Sequence, residues 1–141
     1  MTISAKVEYA CVAVLELAAR YDNAEPVRIR EIADAHGIPS RFLVQILLQL
    51  KAAGLVQSTR GATGGYWLAR SPEQISLAEV MAVIEGPTSI ESNIARQTSA
   101  TRALQFVWNE AAETQRTTLE SVTFAQLVEQ LKEPAEDMYH I

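Results

Sequence analysis

Cysteine is nearly absent. Cys11 stands alone in the chain, which excludes an intrachain disulfide and any all-cysteine metal site. Histidine is almost as scarce, with only His36 and His140. No Ser/His/Asp or Cys/His constellation, metal-ligand spacing or catalytic carboxylate pair can be read, so an enzyme is not expected. No apolar run approaches the ~18 residues that cross a bilayer. The opening segment MTISAKVEYACVAVLELAARYD is interrupted by Glu8 and Glu16 and lacks a cleavage-like site, so it reads as a helix rather than an export signal. A cytoplasmic location is the expectation. Internal repeats and low-complexity tracts are also missing. What is left is a chain of 141 residues, 48% hydrophobic and 21% charged, which fits a soluble globular fold with a modest core.

The net charge of −5 argues at first against a nucleic-acid partner, but it is unevenly spread. Residues 1–72 carry eight Lys/Arg against six Asp/Glu, and residues 73–141 carry four against eleven. A front half of net +2 and a back half of net −7 suggest two tasks in one chain.

Apolar spacing predicts a helix over 3–21, with Ile3, Val7, Ala10, Cys11, Val14, Leu15 and Ala18 on one face. A turn over 22–26 leads to a short helix over 28–36. Its stripe is Ile29, Ile32, Ala33 and His36, and Gly37 closes it. Ser40 is placed to cap a third helix running to about Ala53, with Leu43, Ile46, Leu47 and Leu50 inward. Strands are expected over 55–59 and 65–69. Ser76 to Glu79 reads as a capping box before a fourth helix that ends at Gly86-Pro87. Residues 88–99 are polar and irregular. A long helix over about 101–122 follows, with Leu104, Val107, Trp108, Ala111, Leu119 and Val122 along one face. A second capping box, Thr123 to Gln126, starts a terminal helix through Lys132. Two short helices joined by a glycine turn, followed by a hairpin, make a winged helix-turn-helix. The fold class is mainly α with a small β-hairpin. The organisation is a DNA-binding domain over 1–87, a sensor-like loop over 88–100, and a dimerisation helix with a C-terminal helix over 101–141.

The segment STRGATGGYWLAR, residues 58–70, carries Gly61, Gly64 and Gly65. A phosphate-binding loop of the nucleotide type needs a lysine and a hydroxyl after its last glycine, but Tyr66 and Trp67 follow here. A dinucleotide loop joins a strand to a helix, whereas these glycines join two strands. The bland reading, a tight turn and nothing more, leaves Arg60 at the tip of a basic half-domain unexplained. A wing with Arg60 and Thr63 at its tip reaches a minor groove or its flanking phosphates. The start of the third helix turns Ser40, Arg41, Val44 and Gln45 outward, where a recognition helix enters the major groove. Arg41 suits guanine or phosphate, Gln45 suits adenine, and Ser40 suits either. Arg28 and Arg30 open the preceding helix, where backbone N–H groups favour phosphate, and Lys6 adds a backbone contact.

The segments YACVAVLELA, IREIADAHGIPSRFLVQILLQLKAAGLV, STRGATGGYWLAR, ISLAEVMAVIEGP and VWNEAAETQRTTLESVTFAQLV together resemble the Rrf-two family of bacterial transcriptional regulators. They cover most of the chain in the family's order. The resemblance implies a homodimer on a partly palindromic operator, with the long helix crossing to the partner. A long helix with one apolar stripe independently calls for a surface to bury it. Many family members hold an iron–sulfur cluster through three cysteines between the EGP segment and the tryptophan of the long helix. Here that interval reads TSIESNIARQTSATRALQFV, without a cysteine. No cluster and no other cofactor is therefore expected. Glu8 matches a carboxylate-ligand position of some members, and His36 offers an imidazole. Without thiolates, Glu8 is expected at the surface or in a polar pocket, and His36 packed at its helix end.

Cys11 reads as a small buried hydrophobe rather than a thiol sensor. Trp67 is expected to pack the hairpin on the helices, and Trp108 to fill the space between the long helix and the front domain. The leading function is a homodimeric, sequence-specific, DNA-binding repressor. The alternative is a winged-helix module that responds to a protein or small-molecule partner without binding DNA. Arg41 and Lys51, with no acid between Pro39 and Leu55, favour the former. For the signal, a small molecule, a protein partner and no effector stay open, with residues 88–99 as the expected sensing segment.

Overall fold

A computed structural model describes residues 2–23, 25–61, 64–86 and 91–132. Helix α1 spans Ala5–Ala19, α2 Ile29–His36 and α3 Ser40–Ala52. Strands β1, Val56–Thr59, and β2, Gly65–Leu68, pair antiparallel with Val56 opposite Leu68 and Thr59 opposite Gly65. Helices α4, Leu77–Glu85, α5, Ser99–Glu120, and α6, Phe124–Leu131, complete the chain. This is the winged helix-turn-helix order expected from the spacing, followed by the long helix. Two single-turn 3₁₀ segments, Tyr21–Asn23 and Pro72–Gln74, were not foreseen. No helix among the described residues is long and apolar enough to cross a membrane.

One core unites the helices and the hairpin. Val14 and Leu17 of α1, Ile32 of α2, Leu43, Ile46, Leu47 and Leu50 of α3, Leu55, Val56, Leu68, Ile75 and Val80 are all buried in it. Each fully buried leucine or isoleucine contributes about 1.5–3 kcal/mol by leaving water. Phe124 of α6 is also fully buried there, so the terminal helix, grouped by sequence with the dimerisation unit, returns to the front domain. Short backbone pairings hold it in place. Leu77 N donates to Val122 O at 2.9 Å, and Phe124 N donates to Ile75 O at 3.0 Å.

Helix α1 meets α3, α4, α6 and β2, so its buried arc is wider than a single stripe. Ala13 and Leu17 join Val7, Ala10, Val14 and Ala18 in the interior. Cys11 and Leu15 are half-buried, and Ile3 is exposed because it lies before the cap, Ser4, whose Oγ accepts from Val7 N. Gly37 ends α2 with φ of 66°, the left-handed conformation that glycine adopts without strain. Ser40 does not cap α3. It is the first helical residue, the cap position is Pro39, and no side chain satisfies the free N–H groups there. Ser76 caps α4 by accepting from Glu79 N, but the Glu79 carboxylate pairs with Arg70 Nη2 at 2.6 Å. Thr98 and Thr101 form an unforeseen capping box at α5, and the expected Thr123–Gln126 box is present at α6.

The wing is bound to the loop ahead of α2. Val27 and Tyr66 exchange both backbone hydrogen bonds, each 2.8 Å long, extending the hairpin by one bridge. Gly65 lets these backbones meet, because a Cβ there would lie 2.6 Å from the Val27 oxygen.

Candidate nucleic-acid interface

Helix α2, the first of the helix-turn-helix pair, is fixed at both ends to the last turn of α1. Arg20 Nη1 donates to Glu31 Oε2 at 2.6 Å, and Arg20 Nε lies 3.3 Å from Glu16 Oε2. The other Glu16 oxygen is 3.1 Å from His36 Nε2. The hydrogen bond from Arg20 holds the Glu31 carboxyl below the usual carboxylate range, and the same bond raises the Arg20 guanidinium. His36 is therefore a polar tether at the end of α2, exposed rather than packed. Glu8 is exposed, as expected.

On α3 the inward row Leu43, Ile46, Leu47 and Leu50 is fully buried, which fixes the opposite row toward solvent. That row is Arg41, Val44, Gln45 and Leu48, all exposed. Ser40 is exposed beside it. The Arg41 guanidinium lies 5.0 Å over the Phe42 ring, and Phe42 tilts against Tyr9 with centroids 6.0 Å apart. A cation–π contact of this kind orients the guanidinium while leaving its donors free.

Between α3 and the hairpin runs a groove of about 560 Å³. Its walls include Arg28, Leu48, Ser58, Arg60, Gly61 and Tyr66. The fold thus brings together two of the expected phosphate contacts, Arg28 and Arg60, from separate elements. Thr63 lies outside the described residues. Arg30 is exposed and loosely paired with Asp34 at 3.8 Å, and Lys6 is exposed on the first turn of α1; neither lines the groove. Sequence reasoning missed Leu48, although it continues the 41, 44, 45 row at helical spacing. It also missed the Lys51 Nζ to Ser58 Oγ hydrogen bond, 2.7 Å long, which joins the end of α3 to the wing.

The back half presents a different surface. No residue of α5 is fully buried, and Leu104, Val107, Trp108 and Ala111 are exposed along one face. Trp108 does not fill the space between α5 and the front domain. It is 50% exposed, while Phe124 and Val80 are fully buried in the core. Leu119 and Val122, nearer the foot of the helix, are half-buried within the chain. Trp67 is half-buried on the hairpin. Of the expected sensor-like loop, residues 88–90 lie outside the described residues, and 91–98 is largely exposed.

Residues 3–130 match the Rrf2 family, described as "Iron-dependent Transcriptional regulator". The chain belongs to this family. HTH-type transcriptional regulator CymR of Bacillus subtilis is 32% identical over 127 residues, covering 90% of this chain and 89% of that protein. An rrf2-like protein of Rhodobacter capsulatus, named as an HTH-type transcriptional regulator, is 47% identical over 87 residues. That match spans 60% of this chain and 58% of the relative's length. Among solved structures, B. subtilis CymR, titled the global cysteine regulator of that organism, superimposes with a TM-score of 0.80 at 31% identity. It covers 92% of this chain and 98% of that one. IscR of T. potens superimposes with a TM-score of 0.76 at 29% identity, covering 99% and 97%. As a member of a family of transcriptional regulators, the chain is not an enzyme.

The family description names iron, so the donor set matters. The one thiol, Cys11, is half-buried on α1, and burial together with Glu8 and Glu85 pushes its pKa up to about 11. Residues 88–107 hold neither cysteine nor histidine. Among the described residues no three His, Cys, Asp or Glu side chains converge as metal ligands. These residues do not fit a cysteine-ligated iron centre.

Proposed function

We propose that the protein is a homodimeric, sequence-specific DNA-binding regulator that acts in the cytoplasm as a repressor without a cysteine-ligated iron–sulfur cluster. The observation that carries the DNA reading is the joint exposure of the α3 row and of Arg60 beside one groove. No acidic residue occurs between Pro39 and Leu55 to repel a phosphate backbone. Ser40, Arg41, Val44 and Gln45 face the major groove. Arg28, Arg60 and the wing tip with Thr63 hold phosphates, and Lys6 and Arg30 add outer contacts. Dimerisation is supported by the exposed apolar face of α5, since such a helix gains little from its own chain. Leu104, Val107, Trp108 and Ala111 form the centre of that contact, and Leu119 and Val122 its margin. A small molecule or a protein partner acting near residues 88–100 supplies the signal.

The deciding experiment is recovery of bound DNA from cells across the genome, followed by titration of a recovered duplex at several salt concentrations. Affinity is expected to fall steeply with salt, as counterions released by each neutralised phosphate require. A flat salt response, or no recovered sites, refutes the DNA reading. Protein purified without oxygen is expected to be colourless; visible absorbance from bound iron and sulfide would contradict the cluster-free state.

A further inference from the structure

The outward row of α3 is unusual for a surface presented to a polyanion. Its second and fourth members are aliphatic. Val44 is 41% exposed and Leu48 is 55% exposed, one turn apart, with Gln45 beside them. Helix burial does not explain them, because the inward row already fills the core. Their neighbours are cationic. Arg41 lies one turn before Val44, and Lys51 follows Leu48 at the wing-side end, tied to Ser58. Leu48 itself lines the groove that Arg28 and Arg60 flank. An aliphatic step set among cations fits a ligand that is anionic at its edges and carries an apolar group between them. In the major groove of DNA only one base meets that description, since thymine alone projects a methyl group there.

We propose that Val44 and Leu48 form an aliphatic reader of thymine C5-methyl groups, which makes Leu48 a specificity-determining residue of the interface. This rests on the DNA-binding reading above. The two residues stand about 6 Å apart along the helix axis, at 1.5 Å rise per residue. Stacked bases repeat at about 3.4 Å along a strand, so the two methyl contacts fall one to two base steps apart. Gln45, between them, suits an adjacent adenine, so the half-site is A·T-rich beneath the middle of α3.

The experiment uses the full-length protein and a recovered operator duplex in which thymines are replaced one at a time by deoxyuridine. This deletes the methyl group and leaves every hydrogen-bonding atom in place. At one or two positions per half-site the affinity is expected to fall about fourfold, the factor that burial of one methyl-sized group gives. Leu48→Ala and Val44→Ala, at exposed positions that do not disturb the core, are expected to weaken binding to the thymine duplex severalfold. Each variant is also expected to lose the discrimination between thymine and deoxyuridine at its own position, a coupling that a double-mutant cycle isolates. Equal affinity for all substituted duplexes overturns the proposal. So does a deoxyuridine effect that persists unchanged in both variants, because another group then reads the methyl. If Leu48→Ala leaves DNA affinity untouched, the leucine serves a protein contact instead and the proposal fails. If no duplex is bound specifically at all, the broader DNA reading falls with it, and the unmodified duplex reports that outcome separately.

Discussion

Gly65→Ala tests how the wing is held. An alanine Cβ would sit 2.6 Å from the Val27 oxygen and 2.7 Å from its carbonyl carbon. Both are backbone atoms, and comfortable carbon contacts begin at about 3.5 Å, so the strands must separate by roughly 1 Å. The two Val27–Tyr66 hydrogen bonds are 2.8 Å long, and that opening carries both beyond bonding range. Val27 is buried, so its freed backbone groups lose their partners without gaining much water. At about 1–2 kcal/mol for each bond, the loss is about 2–4 kcal/mol. A domain of this size holds about 5–15 kcal/mol in total, so the variant folds but melts about 8–16 °C lower. Thermal unfolding followed by circular dichroism measures the shift. Amide hydrogen exchange locates it, with protection lost first at Val27 and Tyr66. A variant that melts within about 1 °C of the parent, with both amides still protected, refutes the reasoning.

Three further outcomes are expected. Arg60→Ala should lower affinity for operator DNA and the steepness of its salt dependence while leaving the melting temperature unchanged, since the residue is exposed; unchanged affinity removes the wing from the interface. Trp108→Asp should convert a species of about twice 15.5 kDa into one of single mass, measured by light scattering after size exclusion; a persistent dimer relocates the subunit contact. Cys11 has a pKa raised to about 11, so its thiol stays protonated at neutral pH and reacts slowly with iodoacetamide until the protein is unfolded. Because the folded value lies above the unfolded one, the associated stability is present below about pH 9 and lost as pH rises toward 11. Denaturant titrations across that range should show the decline, and Cys11→Ala should flatten it.

Much of the fold was legible because its elements are bounded by local chemistry. Gly37 ends α2, Thr123 opens α6, and the 43, 46, 47, 50 row of α3 shows which side faces the core. The misreadings share a cause, which is tertiary placement that no local pattern encodes. Ser40 resembles a cap, but the chain turns into the helix one residue earlier at Pro39. Ile3 matches the period of α1 but precedes its first turn. Trp108 looked like core because tryptophan often is, yet α5 fully buries none of its residues and it is Phe124, at the start of the next helix, that enters the core. At the candidate interface, the exposure of Arg41, Gln45 and Arg60 was readable. Leu48 escaped because an apolar residue is easily assigned inward, although the stripe geometry puts it outward. The contact between Val27 and Tyr66 joins segments some forty residues apart through backbone atoms alone, and no pattern of side chains announces it.

That backbone contact has an evolutionary consequence. The wing keeps its footing through the Val27–Tyr66 backbone pair, Gly65, the Lys51–Ser58 hydrogen bond and the buried Val56 and Leu68, none of which lies at the tip. On the DNA-binding reading proposed above, substitutions at Arg60 or Gly61 change what the wing touches while those holds stay in place. On that reading the wing and α3 vary independently, so one scaffold can acquire a new operator one contact at a time.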